Sequence, residues 1–298
     1  MQLNSRAKGI ILVFFSTMLW GISGTVAQFL FQQKDFNPEW LVVVRLLISG
    51  FILLIYGYIK GDHNIKKVWK SKNDAINLIL FAIMGMLGVQ YTYFAAIKHG
   101  NAATATILQY LSPIIITFYL SISNKKLPNI KQLIAILLAI IGTFFIITSG
   151  NINSLSLSKL ALFWGICSAF CTAIYTLQPI YLLKKYSSIS IVGWGMLVAG
   201  LAFSFIHSPF NIIGELCTSS IIGVIFIVIF GTLIAFYCYL ESLKYLMPTE
   251  SSILSCIEPL SATFLSVLWL NTQFGLPEFV GTFCILTTVI ILSFSNQN

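Results

Sequence analysis

Ten long apolar runs constrain this chain more than any other feature of its sequence. Each run is at least 20 residues long, and short connections with turn residues such as Asn37-Pro38 and Met247-Pro248 separate them. A helix needs roughly 20 apolar residues to cross a bilayer, whereas membrane barrels have short strands of alternating polarity. We therefore expect ten transmembrane helices. The predicted spans are residues 9–31, 39–60, 75–97, 101–122, 130–149, 158–182, 188–208, 218–243, 249–270 and 276–295.

Composition also indicates an integral membrane protein. Charged residues make up 9% of the chain and apolar residues 57%, and the mean hydropathy is +0.90. Soluble domains are about a quarter charged. Ten helices leave no length for a soluble domain, so the lipid bilayer is the expected surroundings of the whole chain.

Positive charge predicts the orientation. Thirteen of the 17 Lys and Arg residues fall on the side of the N-terminus and three on the other side, while Arg45 lies inside a helix. Because the cytoplasmic loops of membrane proteins carry an excess of Lys and Arg, we expect both termini in the cytoplasm. The expected membrane is the inner or plasma membrane of a prokaryotic cell. The net charge of +8 then needs no nucleic-acid partner.

The sequence resembles itself when it is shifted by 146 residues. This shift places Ser112-Pro113 on Glu258-Pro259. The same offset places Tyr93 on Tyr239 and Gly85 on Gly231. Residues 1–150 and 151–298 are thus predicted to be two repeats of five helices each. An odd number of spans inverts the second copy, and inverted repeats are the architecture of alternating-access transporters.

Several short motifs, taken together, resemble the EamA-type (ten-helix) branch of the drug/metabolite transporter superfamily. They are Trp20-Gly21, Pro38 with Arg45, Tyr93-Phe94-Ala95-Ala96-Ile97, the small residues from Asn101 to Ala105 before Pro113, and Glu258-Pro259.

The resemblance implies a ten-helix fold and transport, in this family often the export of amino acids or other metabolites. Its substrates are too diverse to assign one by analogy. The sequence departs from the family where helices 4 and 9 often end in Leu-Gly-Glu, since residues 121–123 and 269–271 here read Ser-Ile-Ser and Trp-Leu-Asn. No role of that glutamate is carried over.

Glu258 is the sharpest candidate for binding chemistry. It lies about nine residues, or roughly 13 Å, into predicted helix 9, where an ionised carboxylate normally faces a cavity or a partner. Ser251, Ser255, Ala262 and Ser266 share its helical face, and this face is expected to line a water-filled path. The alternative is a structural carboxyl at a kink.

Pro259 is expected to bend helix 9 and to free a carbonyl that can bind solute or water. Pro113 is its equivalent in helix 4, and the two are the predicted hinges. The equivalents of the acidic stripe in helix 4 include the neutral Gln109 and Ser112. A site that is negative on one side favours a substrate with an amine or quaternary ammonium. Interhelical hydrogen bonds are an equal alternative for Gln109.

Four deep aromatic residues, Trp20, Tyr93, Tyr175 and Tyr239, are expected to form an apolar or cation-binding wall; packing or lipid contact is the alternative for each. Arg45 lies about six residues from the outer end of helix 2, so snorkelling to the interface or a structural tie is its expected role. Gating, or pairing with a carboxylate, is the alternative.

Other classes of protein are disfavoured. The cysteines form no metal-binding pattern, no ATP-binding motif occurs, and no catalytic cluster is evident, so no metal, cofactor or enzymatic activity is expected. A channel would need rings of charge or a carbonyl filter. We therefore expect a secondary transporter, a monomer or homodimer, that exports or exchanges a small amino acid-like or cationic solute, with a coupled proton or exchanged solute as a further partner. The alternatives are another solute class, such as a sugar, nucleoside or choline-like compound, or a membrane scaffold or enzyme.

Overall fold

The structure is a computed structural model that describes residues 5–62, 65–123, 129–149, 157–242, 245–246 and 254–295. Ten apolar helices make up most of this part of the chain, close to the predicted positions, and no strand occurs in it. In chain order they are α1 (Ser5–Gln33), α2 (Pro38–Ile59), α3 (Lys72–His99), α4 (Ala102–Ser123), α5 (Ile130–Thr148), α6 (Lys159–Leu183), α7 (Ser188–Ser204), α8 (218–242), α9 (Ile257–Leu270) and α10 (Leu276–Ser295).

Six of these helices, α1 to α4, α6 and α8, are long and apolar enough to cross a membrane. The apolar parts of the other four are shorter within the described residues, so crossing by all ten stays a prediction. Phe51, Ile140 and Phe283 on the outside are 59%, 63% and 72% exposed. An apolar surface of this extent suits lipid, which agrees with the predicted all-helical membrane fold. The predicted orientation, with both termini cytoplasmic, defines the outer and cytoplasmic ends of each helix.

Five helices are interrupted, one of which is α6, where residues 178–179 form a turn. α3 contains a π-helix at Phe81–Leu87 and α8 contains one at Ile229–Ile234. α4 is broken at residues 110–111, and a turn at Cys256 separates α9 from a short helical piece before it. Such interruptions leave backbone groups without their helical partners and are frequent at functional sites.

The two predicted hinge prolines explain two of these breaks. Pro113 and Pro259 each lie in the first turn of the helical segment that follows a break. Proline has no N–H, so it cannot bond to the carbonyl four residues earlier, which belongs to Gln109 in α4 and to Ser255 before α9. The chain therefore breaks ahead of each proline.

α1 lies at the centre of the bundle and packs against α3, α4, α8 and α9, while α2 pairs with α7 and α5 with α10. Glycines permit close approach in both pairs. An added Cβ at Gly50 would lie 2.6 Å from the backbone nitrogen of Leu197, and one at Gly142 would lie 2.7 Å from the Gly281 carbonyl oxygen. Small residues at helix crossings are the usual means of tight packing in membranes.

Candidate functional site

Aromatic rings from three helices meet beside the middle of α1. The ring of Trp20 lies 5.0 Å from that of Phe236 and 5.1 Å from that of Tyr239. Tyr175 of α6 also contacts Phe236, with 6.4 Å between the ring centroids. The structure thus brings together three of the four aromatic residues predicted to form a wall, and adds Phe236, which the sequence did not single out.

The indole nitrogen of Trp20 is buried and has no hydrogen-bond partner among the described residues. Nearly all buried polar groups in proteins are paired. A free donor in the aromatic cluster is therefore available to an acceptor on a bound molecule.

Glu258 lies close to this cluster, at the start of α9, and its side chain is 8% exposed. The hydroxyl oxygen of Tyr110 lies 3.3 Å from Oε2 of Glu258 and 2.5 Å from the carbonyl oxygen of Ser255. Pro259 is the reason that this carbonyl has no helical partner. The sequence predicted that the freed carbonyl can bind solute or water, and the structure shows the Tyr110 hydroxyl at one of its two acceptor positions.

The Glu258 carboxylate has no cationic partner in the part of the chain that the structure describes. Ion pairs in that part include those of Lys34 with Glu215 and of Lys185 with Asp74, at opposite ends of the bundle. A carboxylate buried in a membrane without a cation is costly. The site is therefore electrostatically suited to a cation or a proton.

Three tyrosines surround Glu258 at electrostatic range: Tyr93, Tyr110 and Tyr239. The hydroxyl of Tyr93 hydrogen-bonds to Oγ1 of Thr106 at 2.8 Å, and that of Tyr239 interacts with the Ser255 side chain. The ring of Tyr93 contacts that of Phe94, with 5.9 Å between the centroids, and no contact with the ring cluster predicted for it occurs in the described structure. The surroundings of Glu258 combine aromatic surface with hydroxyl groups.

Close packing of α1 against α9 and α3 holds these groups in place. An added Cβ at Gly21 would lie 2.0 Å from Oγ of Ser261 and 2.6 Å from the Glu258 carbonyl oxygen. One at Gly24 would lie 2.4 Å from the Tyr93 hydroxyl oxygen. The Trp20-Gly21 pair therefore has two roles, since Trp20 supplies a ring and Gly21 admits the backbone of α9.

The sequence predicted that the polar stripe along α9 lines a water-filled path. In the structure, part of the stripe is instead packed against another helix. Ala262 and Ser266 are fully buried because they face α1. Oγ1 of Thr25 donates to the Ala262 carbonyl at 3.4 Å, and Oγ of Ser266 donates to Oε1 of Gln28 at 3.4 Å. Only the part near Glu258 and Ser255 adjoins the tyrosines.

The other predicted residues of the site have different surroundings. Gln109 donates to Oγ of Ser168 at 2.8 Å, which is the interhelical hydrogen bond considered as its alternative. Ser112 is buried, and neither residue hydrogen-bonds to Glu258 in the described structure. Ser251, the first member of the stripe, lies outside the described residues.

Arg45 is 4% exposed, so the structure favours the structural tie predicted for it over the other expectation, snorkelling to the interface. Its Nε donates to Oγ1 of Thr232 at 2.9 Å, and its guanidinium lies over the ring of Phe94 at 4.5 Å. No carboxylate of the described residues lies within ion-pairing distance of it. Depth along a helix cannot reveal that α3 and α8 cover this side chain.

Sequence reasoning missed two polar residues that organise the region. Tyr110 precedes the Ser112-Pro113 pair by two residues, and this closeness to the repeat equivalent of Glu258 was the available signal. Gln28 lies seven residues after Gly21, on the same face of α1. Its Oε1 accepts from the backbone N–H of Ala102 at 2.8 Å, and its Nε2 donates to Oγ1 of Thr272 at 3.2 Å. Gln28 therefore ties α1 to the start of α4 and to the loop after α9.

Known proteins identify the family to which this chain is related. The EamA-like transporter family matches residues 7–148 and again residues 159–294. The chain is 39% identical over 295 residues to the uncharacterized inner membrane transporter YicL of Salmonella typhimurium, across 99% of this chain and 98% of that protein. It is 25% identical over 290 residues to protein PecM of Dickeya dadantii, across 94% and 90% of the two chains.

A solved crystal structure shares the fold. It aligns with a TM-score of 0.67 at 16% identity and covers 98% of this chain and 100% of that chain. The interrupted helical bundle, its lipid-facing surface and the family match along most of the sequence agree. The chain therefore belongs to the EamA-like transporter family and is a multi-pass membrane transporter.

Proposed function

We propose that this transporter moves a small organic solute with a cationic amine or quaternary ammonium group, as an exporter or exchanger, by alternating access. Glu258 binds the cationic group of the solute, and the rings of Trp20, Tyr175 and Tyr239 contact it. Cations are attracted to the faces of aromatic rings, and a carboxylate in a region of low dielectric binds them more strongly than in water.

The observation that carries the proposal is the buried Glu258 carboxylate, which has no cation beside it in the described residues and lies next to an aromatic cluster. A structural carboxyl at a kink would be expected to have its acceptor capacity filled by protein donors. Tyr110 is its hydrogen-bond donor in the structure, and that hydroxyl is shared with the Ser255 carbonyl. The remaining acceptor positions can take a ligand or a proton.

Packing between α2 and α7 supports two inverted repeats at residues 1–150 and 151–298. An added Cβ at Gly200 would lie 2.9 Å from Cδ2 of Leu47, and one at Gly193 would lie 2.9 Å from Cδ2 of Leu54. The 146-residue offset relates Leu47 to Gly193 and Leu54 to Gly200. Each contact is thus the repeat equivalent of the other, as a two-fold axis between antiparallel helices would produce.

Two contacts between α5 and α10 are also repeat equivalents of each other. Gly142 packs on Gly281, and Oγ1 of Thr288 donates to the Ala135 carbonyl at 3.1 Å. The offset relates Ala135 to Gly281 and Gly142 to Thr288. The break at Tyr110 is equivalent to the turn at Cys256, and the π-helices of α3 and α8 lie at nearly equivalent positions. These matches support copies of opposite orientation.

In the proposed mechanism, the two halves rock around the site and the segments that follow Pro113 and Pro259 move as hinges. Two similar copies can exchange conformations, which gives inward- and outward-open states similar energies. When no solute is bound, a proton occupies Glu258. Solute and proton therefore compete for one carboxylate, which couples their movements.

The test is flux of radiolabelled amines and amino acids in proteoliposomes, with and without a pH gradient. For the wild type we expect saturable flux that the gradient stimulates. Glu258→Gln keeps the shape of the side chain and removes its charge, so we expect it to lower flux at least about tenfold, the rate effect of about 1.4 kcal/mol. Asp35→Asn, which removes an exposed carboxylate in the loop between α1 and α2, is the control and should retain flux.

Unchanged flux and unchanged pH dependence in Glu258→Gln would show that the assigned role is wrong. Non-saturable conductance in the wild type would instead indicate a channel.

A further inference from the structure

Arg45 is a second buried charge, separate from Glu258. It lies on α2 and is covered by α3 and α8, with its guanidinium 4.5 Å from the ring of Phe94. One face of its planar group is thereby packed. Its Nε is held by the hydroxyl of Thr232 at 2.9 Å, so the orientation of the guanidinium is fixed.

This charge lacks a counter-ion in the described structure. A guanidinium carries five N–H donors, and the acceptor bonded to Nε is a neutral hydroxyl. Eight of the nine acidic residues of the chain lie in the described part, and none of them lies within 4.0 Å of Arg45. Buried charges in proteins are normally paired, so a buried arginine of this kind is suited to an anion brought by a ligand.

Tyr93 connects the two buried charges in space. Its hydroxyl lies within electrostatic range of both Arg45 and Glu258, and these two residues do not form an ion pair with each other. The unpaired indole N–H of Trp20 adds a further donor on the Glu258 side. The ring of Tyr93 also contacts that of Phe94, over which the guanidinium of Arg45 lies, so both charges lie close to one tyrosine.

We propose that Arg45 is an anion-binding subsite of the transport site, so that the transported solute is a zwitterion. Its carboxylate binds Arg45 and its ammonium group binds Glu258. This inference rests on the cation site proposed above and adds the second charge of the substrate. Arginine is suited to this role because its planar group can donate two parallel hydrogen bonds to a carboxylate. A zwitterion also neutralises both buried charges at once.

The experiment compares binding of matched pairs to the purified full-length protein in detergent. Each pair is a zwitterion and the amine that lacks its carboxylate: leucine with 3-methylbutylamine, phenylalanine with 2-phenylethylamine, and glycine betaine with tetramethylammonium. In at least one pair we expect the zwitterion to bind at least about tenfold more tightly than the amine. Arg45→Gln should reduce this ratio to within about twofold while leaving the affinity for the amine nearly unchanged.

Lys98→Gln is the matched control, because it removes one positive charge from an exposed position at the outer end of α3. It should retain the wild-type ratio. If Arg45→Gln does not fold, Arg45→Lys replaces it, with an intermediate ratio expected because the charge remains and the planar fork is lost. The wild-type ratios alone already test the proposal.

The inference is overturned if the amine binds as tightly as its zwitterion in every pair, or if Arg45→Gln weakens both members equally. If amine binding still requires Glu258 in that case, the proposed cation site is retained. Absence of binding by every compound, or amine binding that Glu258→Gln does not alter, overturns the cation site as well.

Discussion

At the level of single residues, Tyr110 and Pro259 act on the same backbone carbonyl. Pro259 cannot donate to the carbonyl of Ser255, and the Tyr110 hydroxyl donates to it instead, at 2.5 Å, while also lying 3.3 Å from Oε2 of Glu258. The same hydroxyl thus satisfies a freed backbone group and positions the carboxylate. The position of Tyr110 in an apolar run of the sequence indicates neither function.

Tyr110→Phe is expected to destabilise the protein and to weaken binding of the solute. Loss of the hydroxyl removes its hydrogen bonds to the Ser255 carbonyl and to Glu258, and the loss of a buried hydrogen-bond partner costs about 1–3 kcal/mol. Tyr119→Phe in the same helix is the control, because Tyr119 is 57% exposed and its change should cost less than about 0.5 kcal/mol. Thermal unfolding of both variants in detergent measures the difference. Equal melting temperatures would argue against the role given to Tyr110.

The residues of the site could be predicted in part. Glu258 was identified because a carboxylate deep in an apolar run is rare, and Trp20, Tyr175 and Tyr239 because large aromatic residues lay at similar depth. The choice between snorkelling and a structural tie for Arg45 could not be made, since hydropathy gives the depth of a residue and not the helices that cover it. Thr232, which accepts from Arg45, is unremarkable in sequence, and the motif that contains Phe94 does not reveal its contact with Arg45.

At the level of helices, the structure depends on the close approach of α1 to α9. Gly21 is the point of contact, because any side chain there would collide with Ser261 and with the backbone of Glu258. The approach brings Trp20 to the site and fixes the distance between α1 and the carboxylate. Helix packing and binding geometry are therefore set by the same glycine.

Gly21→Ala is expected to lower the free energy of unfolding by about 1–3 kcal/mol, the usual cost of overpacking, and to reduce binding. Gly223→Ala in α8 is the control. Its Cβ would approach the side chains of Leu30 and Val26 at 3.3 Å, which can adjust. Denaturation in detergent and binding assays on both variants provide the comparison. A well-folded Gly21→Ala protein with normal affinity would contradict this packing argument.

Pro259→Ala restores an N–H that can bond to the Ser255 carbonyl in competition with Tyr110. We expect α9 to become continuous with the short helical piece before it, and transport to slow while substrate affinity stays within about threefold of the wild type. Pro277→Ala, at an ordinary helix start in α10, should have little effect. Flux and equilibrium binding on the same preparations separate the two quantities. A transport rate equal to that of the wild type would mean that Pro259 is no hinge.

The positions of the helices could be read from apolar runs, and those of the breaks in α4 and α9 from their prolines. The π-helices at Phe81–Leu87 and Ile229–Ile234 could not, because no proline marks them. The one in α8 coincides with tertiary contacts: Oγ1 of Thr232 donates to the carbonyl of Ile227, five residues earlier, while Arg45 donates to that same hydroxyl. Contacts of this kind depend on the packing of α2 against α8.

At the level of the whole molecule, ion pairs join the two predicted halves near both ends. Lys34 pairs with Glu215 at 3.0 Å near the outer end, and Lys185 pairs with Asp74 at 3.3 Å near the cytoplasmic end. The Lys34–Glu215 pair is exposed, and exposed ion pairs contribute less than about 1 kcal/mol, so it can break and form again in the proposed alternating movement. Asp74 is only 4% exposed in the other pair and also accepts from the Tyr186 hydroxyl at 2.8 Å, so that pair should hold the halves together more firmly.

Distances between spin labels are the direct test of the proposal that the two halves open alternately around the Glu258 site. Outer labels at Lys98 and Phe210 and cytoplasmic labels at Lys70 and Lys184 occupy exposed positions in opposite halves, in a background without the native cysteines. A saturating ligand from the binding panel should shift the two distance distributions in opposite directions, and Glu258→Gln should abolish the shift. Distributions that move in the same direction, or that do not respond to bound ligand, would contradict alternating access.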